Sequence, residues 1–468
     1  MPQSGYPCPG FSFYDQNMIN VSENKRAFQW LMAIGMLAST AGLAYGASQN
    51  EFWKIIAALL PQFTLYFLVL KYAARQPRSL AFFLAVAILL RVVLVFAEPY
   101  LSNDVYRFIW DGRLLVQGYN PFDHLPQYYL DMQPGIPGID RELFEAFDAK
   151  NFYTVYPPLA QLQFGTAVWL FPENEYGAIV VMKLWLLVYE AGTILLLPKV
   201  LRAFGLPPAR SLIYSLNPLI VHEIVGNLHF EGAMVFFLLL SVWLLQKQKK
   251  NLWPALAFAA SICSKLLTLM FLPFFLRRMG FRRSLVFYGL TAVFVLLMFI
   301  PVVNSEFLLH FGDSLNLYFQ KLEYNASLYY LFRWIGFQLT GYNQIAVIGP
   351  GLGLLAGGLI LWLAFSKKNN SEKIVDAGLM ELWLWSICIY LFSTTTLHPW
   401  YLALPLLLCV FTRWRFPVVW SFLIMFTYIN YSYEPYRENL LVVALEYFTV
   451  GVVIFTELRS ERKKILTL

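Results

Sequence analysis

The chain has 468 residues, of which 59% are hydrophobic and only 13% are charged. Soluble domains contain about 25% charged residues, so the composition excludes an ordinary soluble protein. The net charge of +7 would also suit a nucleic-acid partner. Membrane proteins, however, collect lysine and arginine in their cytoplasmic loops, and we therefore expect no nucleic acid.

Apolar runs long enough to cross a bilayer recur along the whole chain, for example at 27–46, 79–97, 284–303 and 341–365. A transmembrane helix needs about 20 such residues. With every basic cluster placed on the cytoplasmic side, the crossings required between clusters add up to about 14, and both termini lie inside. The sequence therefore predicts an all-α, polytopic transmembrane helical bundle surrounded by membrane lipids.

Two apolar stretches do not fit one straight crossing each. Residues 157–171 begin with two prolines and contain two glutamines, which predicts an interfacial or re-entrant helix. Residues 252–276 lie between two basic clusters that both mark the inside, so we expect two short spans with a turn near 261–265. This turn would place Lys265 at the outer face.

The chain has no convincing internal repeat, and we predict one membrane-embedded unit in three parts. A cytoplasmic segment, 1–24, precedes an amino-terminal transmembrane module, 25–303. The remainder, 304–468, is expected to form an outer loop and the carboxy-terminal transmembrane helices. The four cysteines lack the spacing of metal ligands, and we expect neither a metal nor another cofactor.

The outer loop at 98–158 is too long for a plain connector. Its apolar residues after Asp104 recur at helical spacing, which predicts a short helix on the membrane surface. Asp104 would lie at the level of the lipid headgroups, where a carboxylate can accept a proton from an attacking hydroxyl. The alternative is structural: Asp104 caps the helix, and Asp111 makes a surface ion pair with Arg107.

A sugar carried on a lipid phosphate has a good leaving group, so one base suffices where glycoside hydrolases use two carboxylates. The phosphate requires cationic partners at the same membrane face. The candidates for substrate binding at this face are Asp111, Arg113, His229, Glu231, Lys265 and His398.

Several of these candidates also have a structural explanation. Arg113 and Lys265 can extend to the membrane interface without binding a ligand. Glu231 suits the first turn of any helix. His398 precedes Trp400 and Tyr401, and such aromatic residues form interfacial belts regardless of function. The sequence leaves both explanations open.

Short motifs follow one another in a characteristic order between about residues 80 and 410. They are Asn103-Asp104-Val105-Tyr106-Arg107, Trp110-Asp111-Gly112-Arg113, Asn120-Pro121-Phe122, Tyr156-Pro157-Pro158-Leu159, Asn217-Pro218-Leu219, Gly226-Asn227-Leu228-His229, Ser264-Lys265 and His398-Pro399-Trp400-Tyr401. In this order, the motifs resemble those of the GT-C glycosyltransferases. The closest resemblance is to the bacterial polyprenol-phosphate-mannose-dependent mannosyltransferases.

The resemblance implies that Asp104 is the general base of an inverting glycosyltransferase. It implies a polyprenyl-phosphate donor of mannose or another hexose, and a glycan or lipid acceptor. It also implies a multi-pass protein of the bacterial inner membrane with an extracytoplasmic site. Asn103-Asp104 stands where some relatives have paired acids, which weakens the case for a bound metal.

Two other functions fit parts of the sequence. A transporter or flippase of polyprenyl-linked glycolipids is favoured by the split stretch at 252–276, but its polar residues would gather at the bilayer midplane, not at one face. A ligase or polymerase of lipid-diphosphate glycans would need more arginines in large outer loops than this chain has.

Overall fold

The computed structural model describes residues 12–247, 250–310, 312 and 322–466. Throughout this part of the chain the regular structure is helical, with one isolated bridge and no strand. The predicted all-α class is therefore confirmed. Residues 1–11 of the predicted cytoplasmic segment and 313–321 of the predicted outer loop lie outside the described residues.

The helices of the amino-terminal part are interrupted by short 3-10 and π-helical stretches. The helices are α1 (Ser12–Gly46), α2 (Phe52–Arg75), α3 (Leu80–Val95), α4 (Asp104–Val116), α5 (Pro126–Leu130), α6 (Arg141–Ala146), α7 (Pro158–Leu170), α8 (Glu175–Ala203), α9 (Leu212–Ser215), α10 (Pro218–Ile220), α11 (Glu231–Lys247), α12 (Leu252–Ser264), α13 (Phe275–Met279) and α14 (Phe281–Phe299). The interruptions are Pro77–Ser79, Ala149–Asn151, Pro208–Ser211, Val221–Gly226 and Leu266–Phe274.

The carboxy-terminal part continues in the same manner. Its helices are α15 (Leu328–Thr340), α16 (Ile345–Phe365), α17 (Ala377–Ser393), α18 (Ala403–Cys409), α19 (Phe416–Leu423) and α20 (Leu440–Leu466). Its 3-10 stretches are Lys367–Asn369, Pro399–Leu402 and Ile424–Ser432.

Side chains at the starts of several helices explain where these helices begin. Asn174 accepts a hydrogen bond from Gly177 N, and α8 begins with the next residue, Glu175. Asp376 caps α17 in the same way by accepting from Leu379 N at 2.8 Å. Such caps satisfy backbone donors that a helix leaves unpaired in its first turn.

Within the described ranges, seven helices are long and apolar enough to cross a membrane. They are Lys25–Gly46, Phe52–Arg75, Pro77–Val95, Glu175–Ala203, Phe281–Phe299, Ile345–Phe365 and Leu440–Ser460. A bent pair, Pro218–Gly226 and Glu231–Lys247, makes an eighth if it counts as one broken span. These helices fit the predicted membrane protein, but the predicted count of about 14 spans is not confirmed.

The count differs because an apolar run can be surrounded by protein as well as by lipid. The two short spans predicted at 252–276 consist of α12, with 13 residues, and a 3-10 stretch, Leu266–Phe274, with nine. Each is shorter than the ~20 residues of a full crossing. Every residue of α18 is buried, so its apolar character reflects the protein interior.

The chain does reverse direction at the predicted turn. Ser261 Oγ donates to Thr268 Oγ1 at 3.3 Å, and the rings of Phe258 and Phe275 lie 5.7 Å apart. In a straight helix, residues 258 and 275 would be separated by about 25 Å. The break falls directly after α12, where Lys265 adopts an extended conformation.

The helix predicted after Asp104 is α4, and the predicted interfacial or re-entrant helix corresponds to α7. The two pack closely at Gly112, where a Cβ would lie 2.7 Å from Phe164 O. Phe108 stacks on Phe164 at 4.6 Å, and both rings contact Phe230. This aromatic contact holds the start of α4 beside the start of α11.

Candidate active site

Asp104 is the first residue of α4, and Asn103 occupies the cap position before it. Asn103 makes no capping bond and instead donates from Nδ2 to Asp148 Oδ2 at 2.9 Å. The Asp104 carboxylate is half-buried and, among the described residues, accepts no hydrogen bond. It is therefore not a helix cap, although its charge in the first turn favours the helix.

Glu231 and Lys265 form an ion pair within electrostatic range of Asp104. Glu231 is the first residue of α11, and Lys265 Nζ donates to its Oε1. The Glu231 side chain is only 3% exposed, whereas that of Lys265 is 28% exposed. The Lys265 Nζ also lies 4.2 Å from the centroid of the Tyr401 ring. The ammonium group is the member of this pair that an incoming anion can reach.

A sharp bend before α11 positions His229 and Glu231. The helical segment that ends at residue 226 and α11 meet at 111°, and Leu228 between them has a φ of 64°. A positive φ is uncommon for a residue other than glycine. Gly232 permits the close approach, because a Cβ there would lie 2.5 Å from Ile224 Cγ2.

Two histidines stack on one indole ring at this site. The rings of His229 and His398 lie 3.5 Å and 4.5 Å from that of Trp400, with interplanar angles of 14° and 1°. Tyr324 stacks on His398 at 4.6 Å. Neither His229 Nε2 nor His398 Nδ1 has a hydrogen-bond partner in the described part of the chain, although Glu223 Oε2 lies 3.4 Å from the former. Such unpaired buried atoms are rare and require an explanation.

The surroundings raise the pKa of Asp104 from 3.8 to about 6. Burial is the main cause because it disfavours the charged carboxylate, and the charges of Glu231 and Asp148 act in the same direction. The Lys265 ammonium acts against them. A carboxyl group whose pKa approaches the working pH is an effective general base.

The structure thus brings five of the seven predicted site residues together. We call these five residues the Asp104 site: Asp104, His229, Glu231, Lys265 and His398. They come from the starts of α4 and α11, the bend before α11, the end of α12 and the residue before Pro399.

Asp111 lies instead in a buried network. Arg107 Nε donates to its Oδ1 at 2.9 Å. Thr154 Oγ1 and Gln161 Nε2 donate to its Oδ2 at 2.6 Å and 3.0 Å. The Arg107 pair, expected at the surface, is buried because loop and α7 residues cover this part of α4. Asp111 ties α4 to these segments, and its role in substrate binding stays a prediction.

Arg113 lies on the opposite side of α4 from Asp104, since nine residues make about two and a half turns. Its Nη1 donates to Gly138 O at 2.8 Å, and its Nη2 lies 3.1 Å from Glu175 Oε1. The side chain lines a separate cavity of about 650 Å³. Its predicted contact with substrate phosphate also stays a prediction.

An apolar groove of about 560 Å³ lies between the start of α15 and one face of α20. It includes Ala326, two residues along the chain from Tyr324. On α20 its lining runs from Leu440 to Ile454, which corresponds to about 21 Å of helix. One end of the groove therefore lies two residues along the chain from the ring that stacks on His398, and the groove continues along a helix long enough to cross a membrane.

Sequence reasoning missed Tyr324, Asp148 and this groove. Tyr324 and Asp148 belong to none of the motifs, and they reach the site only because the chain folds back on itself. One signal was present for the groove: Leu440, Val443, Ala444, Tyr447, Gly451 and Ile454 recur at helical spacing. The same spacing, however, describes any lipid-facing or buried helix face.

Comparisons with known proteins cover the part of the chain that contains most of the Asp104 site. The family described as alpha-(1->6)-mannopyranosyltransferase, N-terminal domain, matches residues 30–279. The chain is similar to alpha-(1->6)-mannopyranosyltransferase A of Corynebacterium glutamicum, with 30% identity over 186 residues. That segment covers 39% of this chain but only 36% of the relative's length. No solved structure matches the chain. The family match includes Asp104, Glu231 and Lys265 but ends before His398.

Proposed function

Because the chain belongs to the alpha-(1->6)-mannopyranosyltransferase family, as its motifs predicted, we propose that it is a mannosyltransferase. The donor is a polyprenyl-phosphate mannose, and the acceptor is a glycan hydroxyl that becomes α-(1→6)-linked. The anomeric carbon is inverted, Asp104 is the general base, and the chain's own residues suffice without a metal or another cofactor.

One observation carries this proposal: a carboxylate that accepts no hydrogen bond within the described ranges lies in electrostatic range of a partly exposed ammonium group. Asp104 has no hydrogen-bond donor among the described residues, and its raised pKa suits a base. Lys265 exerts an electrostatic effect on Asp104 and is accessible enough to contact a phosphate. A base and an anion partner side by side are what glycosyl transfer from a lipid phosphate requires.

In the proposed reaction, the acceptor hydroxyl gives its proton to the Asp104 carboxylate while its oxygen bonds to the anomeric carbon. The bond between that carbon and the phosphate oxygen breaks, and its electron pair stays on the lipid phosphate. Lys265 then compensates the additional negative charge, exchanging its contact with Glu231 for one with the phosphate. His229 and His398 supply further ring nitrogens to the phosphate or sugar.

The apolar groove supports a lipid-linked donor. A polyprenyl chain that lies along α20 would be buried against Val443, Tyr447 and Ile454, while its phosphate lies near the start of the groove. Because the lipid tail of the donor lies in the membrane before it binds, the groove adds donor affinity through close packing and not through removal of apolar area from water.

We further propose that this multi-pass protein lies in a bacterial inner membrane, with the Asp104 site at the extracytoplasmic face. The basic clusters support this orientation, because the basic residue Arg78 and Asp104 flank opposite ends of the candidate span Pro77–Val95. The site draws on both proposed parts of the chain: Asp104, His229, Glu231 and Lys265 from 25–303, and His398 from 304–468.

Asp104→Asn is the direct test, assayed with membranes, polyprenyl-phosphate mannose and a mannoside acceptor. We expect at least a hundredfold loss of transfer, the contribution typical of a general base. Asp131→Asn is the matched control, because Asp131 is exposed in the same loop and, within the described ranges, its carboxylate accepts hydrogen bonds from Gln127 alone. Full transfer by Asp104→Asn would remove Asp104 as the base.

A transporter or flippase of polyprenyl-linked glycolipids remains the second candidate. The broken helix pair, bent by 111°, favours it, since such breaks form binding sites in transporters. Vesicle flux of a labelled glycolipid, together with no transfer from any lipid-phosphate donor, would establish this function instead.

A further inference from the structure

A second cavity, of about 650 Å³, lies on the side of α4 away from Asp104. It is lined by α4, α6, the end of α7 and the segment that leads into α8. Small-molecule sites usually measure about 300–1,000 Å³, so the cavity is large enough for a ligand. Its polar lining includes Tyr106, Arg113, Gln117, Glu142, Glu173 and Glu175.

Several of these polar groups have unused hydrogen-bonding capacity. Arg113 is only 8% exposed, and its Nε has no partner in the described part of the chain. The side chains of Gln117, Glu142 and Glu173 are exposed and, within the same ranges, make no hydrogen bond. Because Arg113 Nε is buried in the cavity wall, the groups that a ligand can reach are the exposed ones.

The net charge of the cavity lining indicates which kind of ligand can bind there. Asp140 also lines it, so four carboxylates face the single guanidinium of Arg113. This excess of negative charge repels phosphates and other anions. Metal binding is not favoured either, because no three His, Cys, Asp or Glu side chains converge anywhere among the described residues. A neutral ligand rich in hydroxyl groups fits best, since hydroxyls donate to the carboxylates and accept from Gln117 Nε2.

We propose that this cavity binds a neutral hexose oligosaccharide, namely a part of the acceptor glycan remote from the hydroxyl that reacts. Tyr106 offers a half-buried ring for a sugar face, and the carboxylates provide acceptors around it. Asp104 and Arg113 are separated by about 14 Å along α4, a distance suited to an oligosaccharide but not to one sugar. The role as acceptor site rests on the proposed function, whereas oligosaccharide binding does not.

Isothermal titration calorimetry of the purified full chain with linear α-1,6-mannotetraose tests the binding. The wild type should bind, and a Gln117→Ala/Glu173→Ala variant should bind at least fivefold more weakly. Asp104→Asn and Asp131→Asn should bind as the wild type does. Undiminished binding by the double variant, or tighter binding of tetragalacturonate, would overturn the proposal. A thermal unfolding midpoint equal to that of the wild type shows that the double variant is folded.

Transfer kinetics separate this proposal from the proposed function. In Gln117→Ala/Glu173→Ala, the KM for the tetrasaccharide acceptor should rise at least fivefold, while its kcat and the transfer to a monosaccharide acceptor stay unchanged. If the wild type transfers mannose but does not bind the tetrasaccharide, only the second site is refuted. If it binds the tetrasaccharide but transfers nothing, only the proposed function is refuted.

Discussion

Lys265 Nζ donates a hydrogen bond to Glu231, which ties the end of α12 to the start of α11. The two partners differ in exposure, at 28% for lysine and 3% for glutamate. Removal of lysine therefore leaves a buried carboxylate without its partner. Removal of both charges leaves no such group, so the two roles of Lys265, structural and substrate-binding, can be separated.

We expect Lys265→Met to lower the free energy of unfolding by about 1–3 kcal/mol, the cost of an unsatisfied buried polar group. It should also reduce transfer at least tenfold, because a charge-assisted contact with phosphate contributes about 1.5–3 kcal/mol. Lys265→Met/Glu231→Gln should recover the unfolding midpoint but not the transfer. Recovery of both in the double variant would mean that Lys265 acts only through structure.

The pH dependence of transfer should follow the raised pKa of Asp104, about 6. Below this pH the carboxyl group is protonated and cannot accept the proton of the hydroxyl, so kcat/KM should fall there. An unperturbed aspartate would retain activity down to pH ~4. The profile of the wild type from acid to neutral pH measures this limb directly.

Charge variants should shift this acid limb in opposite directions. Glu231→Gln removes a charge that raises the pKa of Asp104, so the limb should move to lower pH. Lys265→Met removes a charge that lowers it, so the limb should move to higher pH. An identical limb in all three proteins would show that another group titrates.

A bulky residue in the apolar groove should weaken binding of the donor lipid. Gly451 lines the groove, and no atom lies within 4 Å of the position of a Cβ there. We expect Gly451→Phe to raise the KM for a long-chain donor about fivefold, equivalent to about 1 kcal/mol, and to leave a short-chain analogue unaffected. Gly357→Phe, at an equally open position on α16, is the control. Equal effects of both variants would refute the groove as the lipid site.

The ion pair between Arg91 and Glu190 should matter for stability and not for transfer. Arg91 Nη2 lies 2.8 Å from Glu190 Oε2, and both side chains are fully buried between α3 and α8. Arg91→Met should lower the free energy of unfolding by about 3–5 kcal/mol, because the remaining carboxylate is buried and uncompensated. Thermal unfolding in detergent measures this loss, and Arg91→Met/Glu190→Gln should restore most of it. A destabilised single variant that the double variant fails to rescue would contradict this explanation.

Local features of the sequence predicted much of the site. Asp104 was expected at the start of a short helix, and it is the first residue of α4. Lys265 was expected at a turn, and the chain reverses there. Both predictions depend on periodicity and charge over a few neighbouring residues, and such patterns can be read without knowledge of the rest of the fold.

Other predictions could not be decided in this way. Arg113 carries the charge that a phosphate site needs, yet it faces a different cavity because nine residues of helix turn it away from Asp104. The predicted number of about 14 spans is not confirmed, and α18 shows one reason: it is apolar because it is buried in protein. The hydrophobicity of a segment is the same whether protein or lipid surrounds it. Only the packing in the tertiary structure distinguishes the two cases.

The residues around Asp104 show most clearly which features depend on the sequence alone and which depend on the tertiary structure. The sequence alone determined that the protein belongs to the membrane class, which motifs it carries and which carboxylate begins α4, because these depend on composition and local order. Only the tertiary structure decided that Lys265 pairs with Glu231, that His229 and His398 share the Trp400 ring, and that Asp111 is buried. These contacts join residues far apart in the chain, and their formation depends on how whole helices pack.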